Sequence, residues 1–277
     1  MSNARSIEFA NVSDPGRKRP HNEDSAVTDI GLGLALVADG MGGYKAGEVA
    51  SAIAAKVVLD GVRAGIDQHR FVRKHVDGDR SKESLLMQDS ILEANHHIFR
   101  TARDVPQCQG MGTTIVAILF TADKVVVAHV GDSRVYRFRN GELVQLTSDH
   151  SLIQELIDRG FFTPEEAHAN TPKNLVTRAL GIDDNVVVDV QELDILPEDI
   201  YLLCSDGLND MVDDEEIRLT LSKYSANLVQ AANELVRLAN ESGGKDNISV
   251  VLARPLKQGA AGSGILAKLM RLLTRSS

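Results

Sequence analysis

Four aspartates border short apolar runs in this chain, and each is followed at once by a small or amide residue. Leu34 to Ala38 lead into Asp39-Gly40-Met41-Gly42-Gly43, Val130-Gly131 into Asp132-Ser133, and Leu203-Cys204-Ser205 into Asp206-Gly207, while Asp246-Asn247 stands directly before Ile248 to Ala253. Such apolar runs suit buried strands, and a small residue after the acid lets backbone approach whatever the carboxylate holds. A single Asp of this kind is most simply a solvated turn residue. Four of them form a set of hard oxygen donors that would repel one another without a cation.

The length of 277 residues suits one large domain or two small ones, and 43% apolar content supplies a core. Aromatics make up only 4% and Trp is absent, which excludes stacking platforms for bases or sugars. Thirty Lys+Arg against 39 Asp+Glu give a net charge of -9, which argues against general nucleic-acid binding and for a soluble cytoplasmic protein. The two cysteines, Cys108 and Cys204, have no ligand spacing, so neither a zinc site nor a disulfide framework is expected. No window has the apolar length of a membrane span, and the polar N-terminus lacks a signal-peptide core.

In chain order, residues 6 to 12 read as an edge strand, and Arg17 to Asp24 form a loop of mixed charge suited to anion binding beside a metal. Period-3.6 patterns predict helices from Val49 to about Gly61 and over Met87 to Ala102, with a polar stretch, 63 to 80, between them. Strands are expected at 113–121, 124–130 and 134–139, the last two joined by a tight Gly131-Asp132-Ser133 turn, with Asn140-Gly141 starting a further hairpin, an antiparallel meander. Residues 147–184 carry a short helix around Leu152 to Asp158 and otherwise read as an irregular flap near the site. Strands at 186–190 and 200–204, helices at 213–224 and 226–240 and a last strand at 248–253 complete a domain over 1–256. Residues 257–277 read as a flexible linker and a basic amphipathic segment, in which Lys268, Arg271 and Arg275 share one face.

Oxygen-only ligation favours Mg²⁺ or Mn²⁺ over Zn²⁺. Two such ions sharing Asp39 would stand about 3.5–4 Å apart, an arrangement suited to in-line attack at phosphorus. A nearby arginine would bind phosphate oxygens and offset their charge in the transition state.

The order of motifs, Arg19 with Asn22-Glu23-Asp24, Asp39 to Gly43, Gly112-Thr113-Thr114, Val130 to Arg134, Ser205 to Leu208 and Asp246-Asn247, resembles the metal-dependent type 2C Ser/Thr protein phosphatases, in particular bacterial single-domain members. The resemblance covers residues 5 to 254. It implies an α+β, four-layer sandwich in which two antiparallel β-sheets are flanked by helix pairs, and hydrolysis of phosphoserine and phosphothreonine by a hydroxide bridging two metals. Asp39 would bridge the two ions, the Gly40 carbonyl would bind one, and Asp206 and Asp246 would complete the other. Glu23 and Asp24 would hold metal-bound waters, Arg19 would grip the substrate phosphate, and Asp132 would serve a third, weaker site. The implied partners are phosphorylated proteins and a cognate Ser/Thr kinase.

Eukaryotic relatives place a His after the Asp-Gly pair, and here that position is Met41. The proton donor is therefore open among a metal-bound water, His21 and His150. Two alternatives carry different expectations. A catalytically silent phosphoprotein-binding scaffold predicts missing ligands, and a purely structural cation domain predicts stabilisation by metal without phosphate release. Residues 265–275 offer a contact for an anionic membrane surface or a partner, and so a possible membrane-associated location.

Overall fold

The structure, a computed structural model, describes residues 6–43, 45–67, 80–172 and 175–256. Its strands are β1 (Ile7–Asp14), β2 (Asp24–Asp29), β3 (Leu34–Met41), β4 (Gly112–Thr113), β5 (Ile115–Phe120), β6 (Lys124–Val130), β7 (Arg134–Arg139), β8 (Glu142–Gln145), β9 (Asp189–Asp194), β10 (Ile200–Cys204) and β11 (Ile248–Pro255). The helices are α1 (Ala46–Asp67), α2 (Lys82–Asp104), α3 (Leu152–Asp158), α4 (Pro164–Asn170), α5 (Asp206–Asn209), α6 (Asp214–Lys223) and α7 (Leu228–Glu241). One sheet runs β1-β11-β10-β7-β8 and the other β2-β3-β5-β6-β9, with β4 paired to β3; all pairings are antiparallel.

Strand alternation sorts the core into three layers. In β3, Leu34, Leu36 and Ala38 pack under α1 and α2, against Ala50, Ala54, Val58, Met87 and Ile91. The intervening Ala35 and Val37 face the other sheet, meeting the layer that holds Val116, Ile118, Val127, Tyr201, Leu203 and Val251. On the far side, Leu202, Cys204, Val250 and Leu252 pack beneath α6 and α7, against Ile217, Leu221, Leu228 and Leu235. Each wholly buried Val, Leu, Ile or Met side chain contributes about 1.5–3 kcal/mol relative to exposure. The same period of two puts Asp39 on the inter-sheet side, in step with Ala35 and Val37, and Asp24 there with Ala26.

Several expectations need correction. The first helix runs past Gly61 to Asp67. Added Cβ atoms at Gly61 and Gly65 would lie 2.7 Å from Ser90 Oγ and 2.2 Å from Leu86 Cδ1, so these glycines serve close approach to α2 rather than a helix stop. Gly131-Asp132-Ser133 is not a hairpin turn: β6 and β7 belong to different sheets, and the turn steps between them. The strand expected at 186–190 begins at Asp189. The flap holds a second helix, α4, started by Pro164 and a Thr163/Glu166 capping box. The expected linker and basic segment at 257–277, and most of the polar stretch before α2, lie outside the described residues. No helix among the described residues is long and apolar enough to cross a membrane.

Candidate metal centre

The antiparallel register sets Asp24 directly opposite Asp39, so two carboxylates meet at one edge of the inter-sheet crevice. The Asp39 backbone is held on both polar groups. Thr113 Oγ1 and Thr114 N donate to its carbonyl at 2.8 and 2.9 Å, and its N–H donates to Thr114 Oγ1 at 3.2 Å. Gly40 N donates to the Glu23 carbonyl at 3.2 Å, which ties the strand end to the acidic loop. A Cβ on Gly40 would fall 2.1 Å from the Gly47 carbonyl, so no larger residue fits beneath the helix start.

The other sheet delivers the remaining acids. Asp206 is the first residue of α5, just past β10, and Asp246 precedes β11, the strand paired with β10. Ser205 Oγ donates to Asp24 Oδ2 at 2.8 Å and accepts from Ser249 N at 2.9 Å, locking the two sheets together at the site. Asn247 holds the loop before β2: its Oδ1 accepts from Glu23 N at 2.8 Å, and its Nδ2 donates to the carbonyls of Pro15 and His21 at 3.0 and 2.9 Å.

These carboxylates are partly buried and act on one another. Desolvation, then the charges of Asp24, Asp206 and Asp132, hold Asp39 well above the usual carboxylate range. Desolvation pushes Asp206 up to about 8, with Asp132, Asp246 and Asp210 adding to the rise. Asp24 and Asp132 are each raised to about 6, burial again leading. Glu23 is raised by burial, an effect that the Arg19 charge opposes. Asp24 Oδ1 and Asp206 Oδ1 are sealed from solvent without a hydrogen-bond partner among the described residues. Sealed carboxylate oxygens facing other carboxylates fit a hard divalent cation, whose charge would lower all of these values together.

Arg19 reaches the group, with Nη2 donating to Asp246 Oδ2 at 2.7 Å and about half of its side chain exposed. Asp132 sits on the turn between the sheets, beside a cavity of about 320 Å³ lined also by Asp206, Asp210, Asp213 and the flap residues Ser151 and Gln154. Two larger clefts, of about 660 and 650 Å³, include none of the expected ligands. Met41 ends β3, partly buried and paired with Gly112. His21 is exposed, whereas His150 is buried with both ring nitrogens engaged inside the protein. The supports Ser205, Thr113, Thr114 and Asn247 stand inside motifs visible in the sequence, but their partners lie far along the chain.

A family model described as protein phosphatase 2C matches residues 18–252. The chain is 38% identical over 250 residues to the serine/threonine protein phosphatase PstP of Mycobacterium tuberculosis, covering 89% of this chain and 45% of that protein. It thus spans a little under half of that relative's length. It is also 38% identical over 243 residues to the serine/threonine phosphatase stp of Listeria welshimeri, covering 87% of this chain and 92% of that one. A solved structure of the catalytic domain of PstP in complex with two manganese ions matches with a TM-score of 0.76 at 36% identity, covering 91% of this chain and 99% of that one.

Proposed function

The chain belongs to the protein phosphatase 2C family, and we propose that it is a divalent-metal-dependent phosphatase acting on phosphoserine and phosphothreonine in proteins. One observation carries the reading: Asp24, Asp39, Asp132 and Asp206 converge from both sheets with raised pKa values and two sealed, unpartnered oxygens. Asp39 would be shared by two Mn²⁺ or Mg²⁺ ions, with the Gly40 carbonyl, Asp206 and Asp246 as further ligands and Glu23 and Asp24 acting through water. Asp132 would serve a third ion beside the flap. Bound there, the metals would activate water toward phosphorus and offset charge on the phosphoryl oxygens.

The chain's own residues do the rest. Thr113 and Thr114 fix the Asp39 backbone, and Ser205 and Asn247 fix Asp24 and the Glu23 loop, so the donors are arranged before substrate arrives. Arg19, half exposed on Asp246, would exchange that carboxylate for a substrate phosphate and grip it with two parallel N–H donors. Met41 carries no titratable proton and His150 is committed on both nitrogens, so water in the cleft or the exposed His21 would protonate the leaving alkoxide.

Dephosphorylation of a phosphothreonine peptide with Mn²⁺, repeated after chelation, tests this reading. Turnover that survives removal of the metal overturns it. The silent-scaffold alternative requires absent ligands, and every expected carboxylate is present. A cognate Ser/Thr kinase is the enzyme class that would supply the substrates, and residues 265–275 remain the segment proposed for a membrane or partner contact.

A further inference from the structure

Outside the carboxylate group, one cluster of titratable side chains stands out. His129, His150 and Asp189 bring a ligand atom each within 4.8 Å of one another. The hydrogen bonds identify a different purpose from metal binding. Gly131 N can only donate, so His150 Nδ1, 3.0 Å away, accepts, and the neutral ring carries its proton on Nε2, donated to Asp189 Oδ2 at 3.0 Å. His129 Nε2 donates to the Ser148 carbonyl at 2.9 Å. The Arg178 guanidinium lies 3.0 Å from His150 Nε2, where a second cation would be repelled. On His150 no ring lone pair is left for a metal, since Nδ1 accepts from Gly131 and Nε2 carries a proton.

His150 instead grips one residue twice. Its backbone N–H donates to the Gly131 carbonyl at 3.0 Å while its ring takes the Gly131 N–H, so a single residue satisfies both polar groups of the amino acid directly before Asp132. Gly131 has a φ of +108°, and a Cβ there would fall 2.6 Å from Thr114, so the turn has no room to relax toward β5. On its other side the turn is held by Ser133 Oγ, 2.7 Å from Thr114 Oγ1, which also accepts from Asp39 N. The ring is fixed in turn by the flap: Arg178 Nη1 also contacts Asp189 Oδ1 at 3.2 Å and donates to the Val187 carbonyl at 3.3 Å, and Thr177 N donates to the His150 carbonyl at 2.8 Å. Stacking on His129, with ring centroids 4.6 Å apart, closes the remaining face.

We infer that His150 is a positioning residue that sets the Asp132 turn, and that Arg178 makes this placement depend on the returning limb of the flap. The inference rests on the reading of Asp132 as a metal donor. Groups that hydrogen-bond a metal ligand typically carry 10–100-fold in metal affinity, and His150, which acts through the Gly131 backbone, belongs at the lower end of that range.

The test uses the full chain and Mn²⁺, with calorimetric titration as a readout independent of turnover. His150→Ala should weaken the weakest Mn²⁺ binding event about 10-fold and raise the Mn²⁺ concentration for half-maximal activity similarly, while kcat at saturating Mn²⁺ stays near that of the unaltered chain. His150→Asn, whose amide oxygen can replace Nδ1 as acceptor for Gly131 N–H, should recover most of the affinity, and His150→Gln, which lacks an acceptor at that place, should not. Rescue by Gln and not Asn, or Mn²⁺ affinities unchanged in all three variants, overturns the assignment. Arg178→Ala should weaken Mn²⁺ binding in the unaltered chain and have little further effect beside His150→Ala; equal effects in both backgrounds overturn the flap linkage. If the unaltered chain binds Mn²⁺ yet releases no phosphate, the phosphatase reading fails while the binding comparison still judges His150.

Discussion

Strand β10 carries a carboxylate at each end, and the two ends are solved differently. At its start, Asp199 has a fully buried side chain with every oxygen occupied. Arg139 donates from Nε and Nη2 at 2.6 and 2.7 Å, and Leu196 N and Tyr201 OH add bonds at 2.8 and 3.2 Å. Past its other end, Asp206 has a sealed, unpartnered Oδ1, and the largest charges that bear on it are those of Asp132, Asp246 and Asp210. A buried acid with its cation supplied by the chain is part of the scaffold; a partly buried acid with a sealed oxygen, surrounded by its own kind, calls for a cation from outside. The sign of the neighbours tells the two apart.

Exchanging each acid for its amide breaks that contrast most directly. Asp206→Asn should cut kcat by about a thousandfold or more, since the several kcal/mol that a metal contributes to the transition state convert to that factor, while the fold is retained. Asp199→Asn should do the reverse, lowering unfolding stability by about 3 kcal/mol because Arg139 loses its charge partner in a buried setting, while turnover per folded molecule is unchanged. Stopped peptide assays and urea unfolding on both variants check the pair. Loss of activity in Asp199→Asn without loss of stability would show that the two ends are not separable.

Arg19 lies between these extremes, a cation at the acidic end that is half exposed and so weakly committed to Asp246. Arg19→Ala should lower kcat/KM for a phosphopeptide by about 10–100-fold, mostly through KM, with little change in stability. A loss of stability comparable to that in Asp199→Asn would instead make Arg19 a scaffold partner like Arg139.

The same contrast explains what was readable in the sequence. Asp39, Asp132, Asp206 and Asp246 stand out because each borders an apolar run, and β6, β7 and β10 have the bounds those runs suggest. The crossing from β6 to β7 was not readable: β6 is buried on both faces beyond Lys124, so its residues give no sign of which sheet receives the next strand. The start of β9 was obscured because the strand is half-buried almost throughout. Gly61 and Gly65 look like breakers until α2 is seen against them. The supports of the site were hidden by distance, since Asn247 meets Glu23 across 224 residues and Ser205 meets Asp24 across 181. No local rule anticipates such a clamp. Thr163-Pro164-Glu165-Glu166, by contrast, is a helix start written in full and read as irregular chain.

The smallest effect is a pH dependence with a definite sign. In the folded chain burial raises Asp24 and Asp132 to about 6 and Asp206 to about 8, from an ordinary value near 3.8. Between the ordinary and raised values the folded state holds more protons than the unfolded state, so stability from these groups is complete below about pH 4 and is lost as pH rises through 6 and then 8. In chelator, Tm should therefore fall by several degrees between pH 4 and pH 8 as charge builds up at the acidic end of β10. Mn²⁺ should reverse the fall, most strongly near pH 8, because it binds the ionised carboxylates of the folded state. Asp206→Asn should flatten the upper part of the metal-free curve, since the group titrating near pH 8 has gone. Scanning calorimetry across that range decides the matter: a metal-free Tm that climbs toward pH 8 would mean that these acids are compensated from within, as Asp199 is, and would erase the difference between the two ends of the strand.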